Sequence, residues 1–266
     1  MRELERDRPT TPRADAPDAD SSVLAIVGSG RVGGSLAAAA ERAGLDVHPA
    51  GRDDAVAIAG DADVALLAVP DSEIAAAAAA LVPAVGRLRL VGHTSGATEL
   101  SALAPVVDAG AEVFSLHPLQ TIPDADTDFT GCPGAIAGST PAALEYARTV
   151  AERLGMVPFE VSDADRAAYH AAAVLASNFL IALAESAANL LGEITPDARA
   201  LLAPLVLRTA ANWAERGGAA LTGPIARGDA ETVERHLEAL RERAPELVPL
   251  YEALAERTRA IAGGRG

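Results

Sequence analysis

The rhythm of apolar and polar positions changes twice along this chain. Residues 1–21 carry Arg, Asp, Pro and Thr with almost no large apolar side chain. They are expected to form a disordered tail, since they offer nothing to bury against the entropy of ordering. From Ser22, short unbroken apolar runs alternate with alanine-rich helical patterns. Residues 23–27 and 63–69 read as strands buried on both faces, and 45–49, 87–92, 112–116, 134–137 and 157–161 supply further strands. Helices are predicted from residue 33 to about 43 with Gly44 as the C-cap, over 55–59, from an Asp71 or Ser72 cap to about 82, and over 141–154. Strands alternating with helices imply βαβ units and a mostly parallel sheet.

After Ser162 the strand signal stops. Residues 163–191 read as one long helix, apolar nearly all round, which is expected to be covered by its own domain, by a second subunit, or by both. Helices near 196–216, 229–243 and 246–261 follow, with a Gly/Pro-rich break at 217–228 whose end is a shaped loop capped by Asp229. The expected fold class is α/β, with a sheet domain over 22–161 and an all-helical domain over 162–266.

The first strand runs directly into Gly28-Ser29-Gly30-Arg31-Val32-Gly33, and a helix pattern follows. Glycine loops are common, but one that leaves a buried strand and opens a helix is the Rossmann-like context for a dinucleotide pyrophosphate. The second glycine lets backbone N–H groups approach the phosphates, and the helix N-terminus adds a partial positive charge. The tip of the second strand holds Ala50-Gly51-Arg52. Arg52, rather than an acid at the strand tip, suits a 2′-phosphate and makes NADP(H) the expected cofactor, with Asp53 and Asp54 keeping NAD(H) open. Val69 and Pro70 end the strand expected beside the first and are candidate cofactor contacts.

Composition narrows the chemistry. All 22 basic residues are Arg, so Schiff-base catalysis, a lysine phosphate loop and a Tyr-x-x-x-Lys pair are excluded. The formal charge of −15 argues against nucleic-acid and anionic-membrane partners. The single cysteine, Cys132, excludes an intrachain disulfide. No signal-peptide core opens the chain, so a soluble, cytoplasmic protein is expected.

Three histidines stand where chemistry is expected. His93 and His117 each follow a strand, at the edge where open α/β sheets bind ligands. His170 sits in the long alanine-rich helix. On a regular helix Ser177 would share its face and Asn178 would flank it. These histidines lack the spacing and carboxylate partner of a zinc site, and Ser95 lacks the Gly-x-Ser-x-Gly elbow of a hydrolase, so no metal is expected.

Taken together, 26–33, His93-Thr94-Ser95-Gly96-Ala97, 115–121, 169–173, Ser177-Asn178 and 221–229 resemble a bacterial Rossmann-like family whose C-terminal half is the domain of unknown function 2520. That family is related to the 6-phosphogluconate and β-hydroxyacid dehydrogenases, pyrroline-carboxylate reductases and ketopantoate reductases. The resemblance implies reduction of a small keto acid, with ketopantoate as the candidate in pantothenate synthesis. An imine reductase of pyrroline-carboxylate type and a non-catalytic NADP-binding sensor or scaffold are the alternatives. The better-known relatives carry a Lys on the long helix. Here His170 is the candidate proton donor, with Asn178 and His93 as orienters and Ser95, His117 and Gln120 as carboxylate binders. A homodimer through the helical domain is expected.

Overall fold

In a computed structural model, which describes residues 17–264, the sheet is built outward from Leu24–Val27 (β1), buried at every position. Such a strand must be covered on both faces. After β1 come Arg31–Arg42 (α1), Val47–Ala50 (β2), Ala55–Asp61 (α2), Val64–Leu67 (β3), Ile74–Ala80 (α3), Leu90–His93 (β4) and Ala104–Asp108 (α4). Glu112–Pro118 (β5), Pro133–Gly138 (β6), Pro141–Arg153 (α5) and Val157–Glu160 (β7) complete the sheet region. The strand order is β2-β1-β3-β4-β5-β6-β7, parallel throughout except for the antiparallel β5–β6 pair. The mostly parallel sheet read from the sequence is therefore present.

Apolar side chains alternate between the faces. Leu24, Ile26, Leu66 and Phe114 bury one face beneath α1 and α5. Ala25, Val27, Leu67 and Val91 bury the other beneath α2, α3 and α4. Small side chains let the helices come close. Gly92 is a steric necessity, because any Cβ there would strike the Phe114 ring, which packs edge-on against Tyr146 at 5.5 Å.

The differences from the sequence pattern are local. Residues 1–16 of the expected tail lie outside the described residues. Residues 17–21 form a turn rather than tail: Pro17 and Ala19 are buried, and Asp20 pairs with Arg153. Two small apolar side chains among acids were too weak a signal. Helix α3 begins after a 3-10 turn at Asp71–Glu73, and neither Asp71 nor Ser72 caps it. Gly44 does close α1, at φ +72°. Helix α4 was not legible, for Pro105 within it and a preceding 3-10 turn at Leu100–Leu103 hide its period.

The chain divides into two compact units, 1–173 and 174–266. The expected helix over 163–191 is not regular throughout: a 3-10 turn at Asp163–Asp165 leads into Arg166–Ala176 (α6), and Asn178–Gly192 (α7) follows after a distortion at Ser177, with φ −118°, ψ −76°. Asp163–Gly192 is nonetheless, by length and composition, long and apolar enough to cross a membrane. The second unit continues with Ala198–Arg216 (α8), Pro224–Arg227 (α9), Ala230–Arg243 (α10) and Val248–Ala262 (α11). Its buried side chains include Val233, Leu237 and Leu240 of α10 and Ala255 of α11. Asp229 caps α10, accepting from Thr232 N at 3.1 Å, as the sequence indicated.

Candidate active site

The order of the strands fixes where ligands can bind. The chain leaves β1 to one side for β2 and crosses back for β3, so helices α1 and α2 start on opposite faces and leave a crevice at the carboxyl ends of β1 and β3. The glycine loop fills that position. Gly28 adopts φ +126° with Ala68 O so close that no Cβ could fit, and a Cβ on Gly33 would collide with the Gly28 carbonyl. A Cβ on Gly30 would meet nothing within 4 Å. Two glycines thus pack the turn, and one keeps the surface open to a ligand. Helix α1 starts at Gly30 with no side-chain cap, leaving its first N–H groups for an anion. The cradle therefore fits a pyrophosphate. Ser29 and Arg31 are exposed beside it, and Val32 packs into the core.

At the tip of β2, Arg52 is exposed and bonds Glu73 at 2.5 Å, from the turn after β3. The sequence weighed Asp53 and Asp54 as acids here; Asp54 instead accepts from Gly51 N at 2.7 Å, and the acid that engages Arg52 comes from 21 residues away. Val69 packs into the core and Pro70 is exposed at the end of β3.

A second constellation lies at the ends of β4 and β5. His93 pairs in register with Ser115, so Ser115 and His117 lie on the same sheet face as His93. Onto this edge comes the start of α6. Arg166 is 1% exposed. Its guanidinium donates to Asp163 Oδ1 at 2.9 Å, to the Ser95 carbonyl at 3.3 Å and to Ser115 Oγ. One turn on, Tyr169 and His170 meet His117. The Tyr169 hydroxyl lies 2.6 Å from His117 Nδ1, and the His117 and His170 rings stand edge to face at 5.9 Å. Both imidazoles converge on Gly96. A Cβ there would lie 2.7 Å from His170 Nδ1 and 2.9 Å from His117 Nε2. Gly96 is itself buried, and only its lack of a side chain lets the two rings pack so closely against it. His170 Nδ1 is buried and has no hydrogen-bond partner within the protein.

The electrostatics keep His117 and His93 neutral. Burial, reinforced by the charges of His170 and Arg166, pushes His117 down to about 4, against the pull of Asp71. Burial also pushes Tyr169 up to about 12, so it keeps its proton. His93 is pushed down to about 4 by burial and then by Arg166, with Asp71, a backbone hydrogen bond with Glu99 and Asp163 acting the other way.

The remaining sequence candidates are distributed unevenly. His93 is 0% exposed, so it is withdrawn from any surface a substrate could touch. Ser95 Oγ accepts from Thr98 N at 2.9 Å and Ala97 N at 3.2 Å, shaping the turn that carries Gly96. Gln120 is exposed and donates to the Asp128 carbonyl at 2.9 Å. Asn178 is the first residue of α7, in the other unit, and the distortion at Ser177 disturbs the regular helix from which its facing was read. Sequence reasoning missed Arg166, Tyr169 as a partner of His117, and Gly96. Among the described residues, no group of three or more His, Cys, Asp or Glu is arranged to hold a metal.

A crossover-wound parallel sheet with an open glycine cradle defines the Rossmann-like class. The chain belongs to the family that joins a Rossmann-like domain, matched over residues 52–118, to the Domain of unknown function (DUF2520), matched over 132–258. A protein from Bacteroides fragilis assigned as an NADP oxidoreductase has the same fold, with a TM-score of 0.73 at 23% identity over 91% of this chain and 99% of its own. The pyrroline carboxylate reductase of Plasmodium falciparum, solved with NADP bound, gives 0.61 at 13% over 92% and 100%. An imine reductase variant from Myxococcus stipitatus, in complex with NAD+, gives 0.58 at 15% over 92% and 95%. No curated protein matches the sequence significantly.

The two kinds of glycine separate by mutation. Gly30→Ala is expected to fold normally yet lose most dinucleotide affinity, whereas Gly33→Ala should lose about 1–3 kcal/mol of stability through overpacking, read by urea titration and nucleotide titration side by side. The neutral histidines set a pH dependence. A folded pKa below the unfolded 6.5 means that stability is complete above pH 6.5 and is lost as pH falls from there to about 4, because the unfolded chain takes up protons the folded one refuses. For fully buried His93 this amounts to on the order of 3 kcal/mol. His93→Leu removes the titrating ring and should flatten this part of the urea-midpoint profile between pH 6.5 and 4. An unchanged profile would exclude His93 as the source.

Proposed function

We propose that this protein is an NADP(H)-dependent oxidoreductase that reduces a small keto acid, with ketopantoate the substrate of choice. The observation that carries this reading is the convergence of His117 Nε2 and His170 Nδ1 on Gly96, along the same carboxyl edge of the sheet as the glycine cradle. Strands β1 and β4 are separated only by β3, roughly 10 Å at the usual strand spacing. The dinucleotide, when bound, would supply the hydride. Residues 28–33 would hold its pyrophosphate, with Val69 and Pro70 alongside, and Arg52 its 2′-phosphate. The Arg52–Glu73 pair is exposed, and such pairs contribute only about 0–1 kcal/mol, so a doubly charged phosphate competes well for the guanidinium.

The residues at Gly96 act on the other reactant. His117 and His170 hold the oxygen of the substrate carbonyl, and one of them completes a proton path to the developing alkoxide. Ser95 and Gln120 remain candidates for the carboxylate, though each would first give up a bond it now makes. Relatives of this fold that are named as pyrroline carboxylate and imine reductases support the second reading, reduction of a cyclic imine. A cationic imine needs no proton at the reacting atom, so the two histidines favour the ketone.

We further propose a soluble, cytoplasmic homodimer formed through the helical unit. Helix α7 buries none of its fifteen residues, and Phe179, Ile181, Leu201, Leu205 and Trp213 are each more than half exposed, an apolar surface suited to a second copy of itself. Ile181→Glu with Leu205→Glu is expected to shift sedimentation from dimer to monomer. A wild-type monomer at micromolar concentration would end the proposal.

Purified protein with NADPH should reduce ketopantoate and leave pyrroline-5-carboxylate untouched. The opposite preference would favour the imine reading, and no turnover of either would refute both. Arg52→Gln should weaken NADPH by tenfold or more, without changing NADH, while Glu73→Gln should tighten NADPH. Equal effects on the two nucleotides would refute the assignment of Arg52.

A further inference from the structure

Tyr169 has no role in the reading above, yet its hydroxyl is 2.6 Å from His117 Nδ1 and its ring is wedged edge-on against His117 at 5.6 Å and Phe159 at 5.9 Å. At any pH near neutrality the phenol carries its proton and the imidazole carries only one. A neutral imidazole that accepts at Nδ1 must hold its proton on Nε2. The contact allows either direction; with the phenol as donor, Nδ1 is the acceptor. The Nε2–H then lies toward Gly96, where His170 Nδ1 also converges.

We propose that Tyr169 is the proton source of the reaction, acting through His117 as a two-proton relay onto the substrate oxygen. The inference rests on the reductase reading above. As hydride reaches the carbonyl carbon, negative charge gathers on the oxygen. The Nε2–H bond of His117 breaks as an O–H bond forms on the substrate. The phenol O–H of Tyr169 breaks as an N–H bond forms at Nδ1. The alkoxide becomes an alcohol, the phenol becomes a phenolate, and His117 is neutral before and after. Transfer runs downhill, since a phenol is a stronger acid than an aliphatic alcohol. Water then protonates Nε2, the Nδ1 proton returns to the phenolate, and each turnover takes one proton from solvent. Tyr169 is only partly buried, so solvent can relieve the charge.

This makes Tyr169 a positioning residue as well: it fixes which nitrogen of His117 faces the substrate. A phenol relayed through a neutral ring delivers a proton without placing a cation beside the buried Arg166.

Tyr169→Phe keeps the ring that packs on His117 and Phe159 and removes only the proton. With wild-type protein turning over a carbonyl substrate, the variant is expected to lose about 100-fold or more in kcat, with KM and NADPH affinity little changed. The solvent isotope effect of the wild type should give a curved proton inventory, two protons moving together, and the variant a linear one. Independently of any substrate, nitrogen NMR of the wild type should find the His117 proton on Nε2 at pH 7, with that preference lost in Tyr169→Phe. A variant with wild-type kcat, or a wild-type His117 protonated at Nδ1, overturns the relay while leaving the reductase reading intact. Wild-type protein that reduces no carbonyl compound overturns the reductase reading first, and the relay with it.

Discussion

A single guanidinium with almost no exposed surface holds the candidate site together. Arg166 reaches Asp163 on its own helix turn, the Ser95 carbonyl in the loop after β4, and Ser115 on β5, so three separate stretches of chain share one charge. Charge in such a place is costly unless matched, and stranding one partner of a buried pair costs roughly 3–5 kcal/mol. The same contacts set the position of everything one turn later. With Arg166 fixed, Tyr169 and His170 have to arrive over His117, and the loop bearing Gly96 is held beneath them. The charge also reaches outward and lowers the affinity of His93 and His117 for a proton.

Burial, more than that field, keeps His93, His117 and Tyr169 uncharged; Arg166 adds to the effect on the two histidines and opposes it on Tyr169. Near a permanent cation, a second cation is unfavourable, and a lysine on α6 would face that repulsion at once. Histidines held neutral and a tyrosine held protonated are compatible with it, and each still offers an N–H or O–H. The absence of lysine throughout the chain is a property of composition. Its tolerance at this position is a property of Arg166.

How much of this was legible in the sequence depends on range. Strands β1 and β3 were visible because burial on both faces leaves an unbroken apolar run, and the glycine loop because Gly28 and Gly33 answer to contacts within one turn or with the neighbouring strand. Helix α4 was hidden by Pro105 and the 3-10 turn before it, and the turn at 17–21 by having only small apolar side chains among acids. The candidate site divides in the same way. His93 and His117 could be found at strand ends, but the register that separates their fates, one interior and one at Gly96, belongs to the β4–β5 pairing. Arg166 looked like an ordinary polar residue in the first turn of an alanine-rich helix, and nothing local distinguishes it. The pairing of Tyr169 with His117 spans 52 residues, and no local spacing reports it.

The distortion at Ser177 shows the same limit in reverse. A pattern that is apolar nearly all round gives no phase, so it cannot tell a regular helix from a distorted one, and any residue carried across the distortion on a regular 100° step is misplaced. The division of the chain at Ala173 and Val174 falls just before that distortion. Residues 166–173 are committed to the sheet through Arg166 and the aromatic contacts of Tyr169, while α7 presents an apolar surface that nothing in its own unit covers. One sequence texture therefore serves two physical purposes: a polar anchor hidden among alanines at one end, and an unburied apolar face at the other. Only the first is fixed by hydrogen bonds. The side chains that converge on Gly96 and His117 therefore come from α6, where the anchor is, and not from α7.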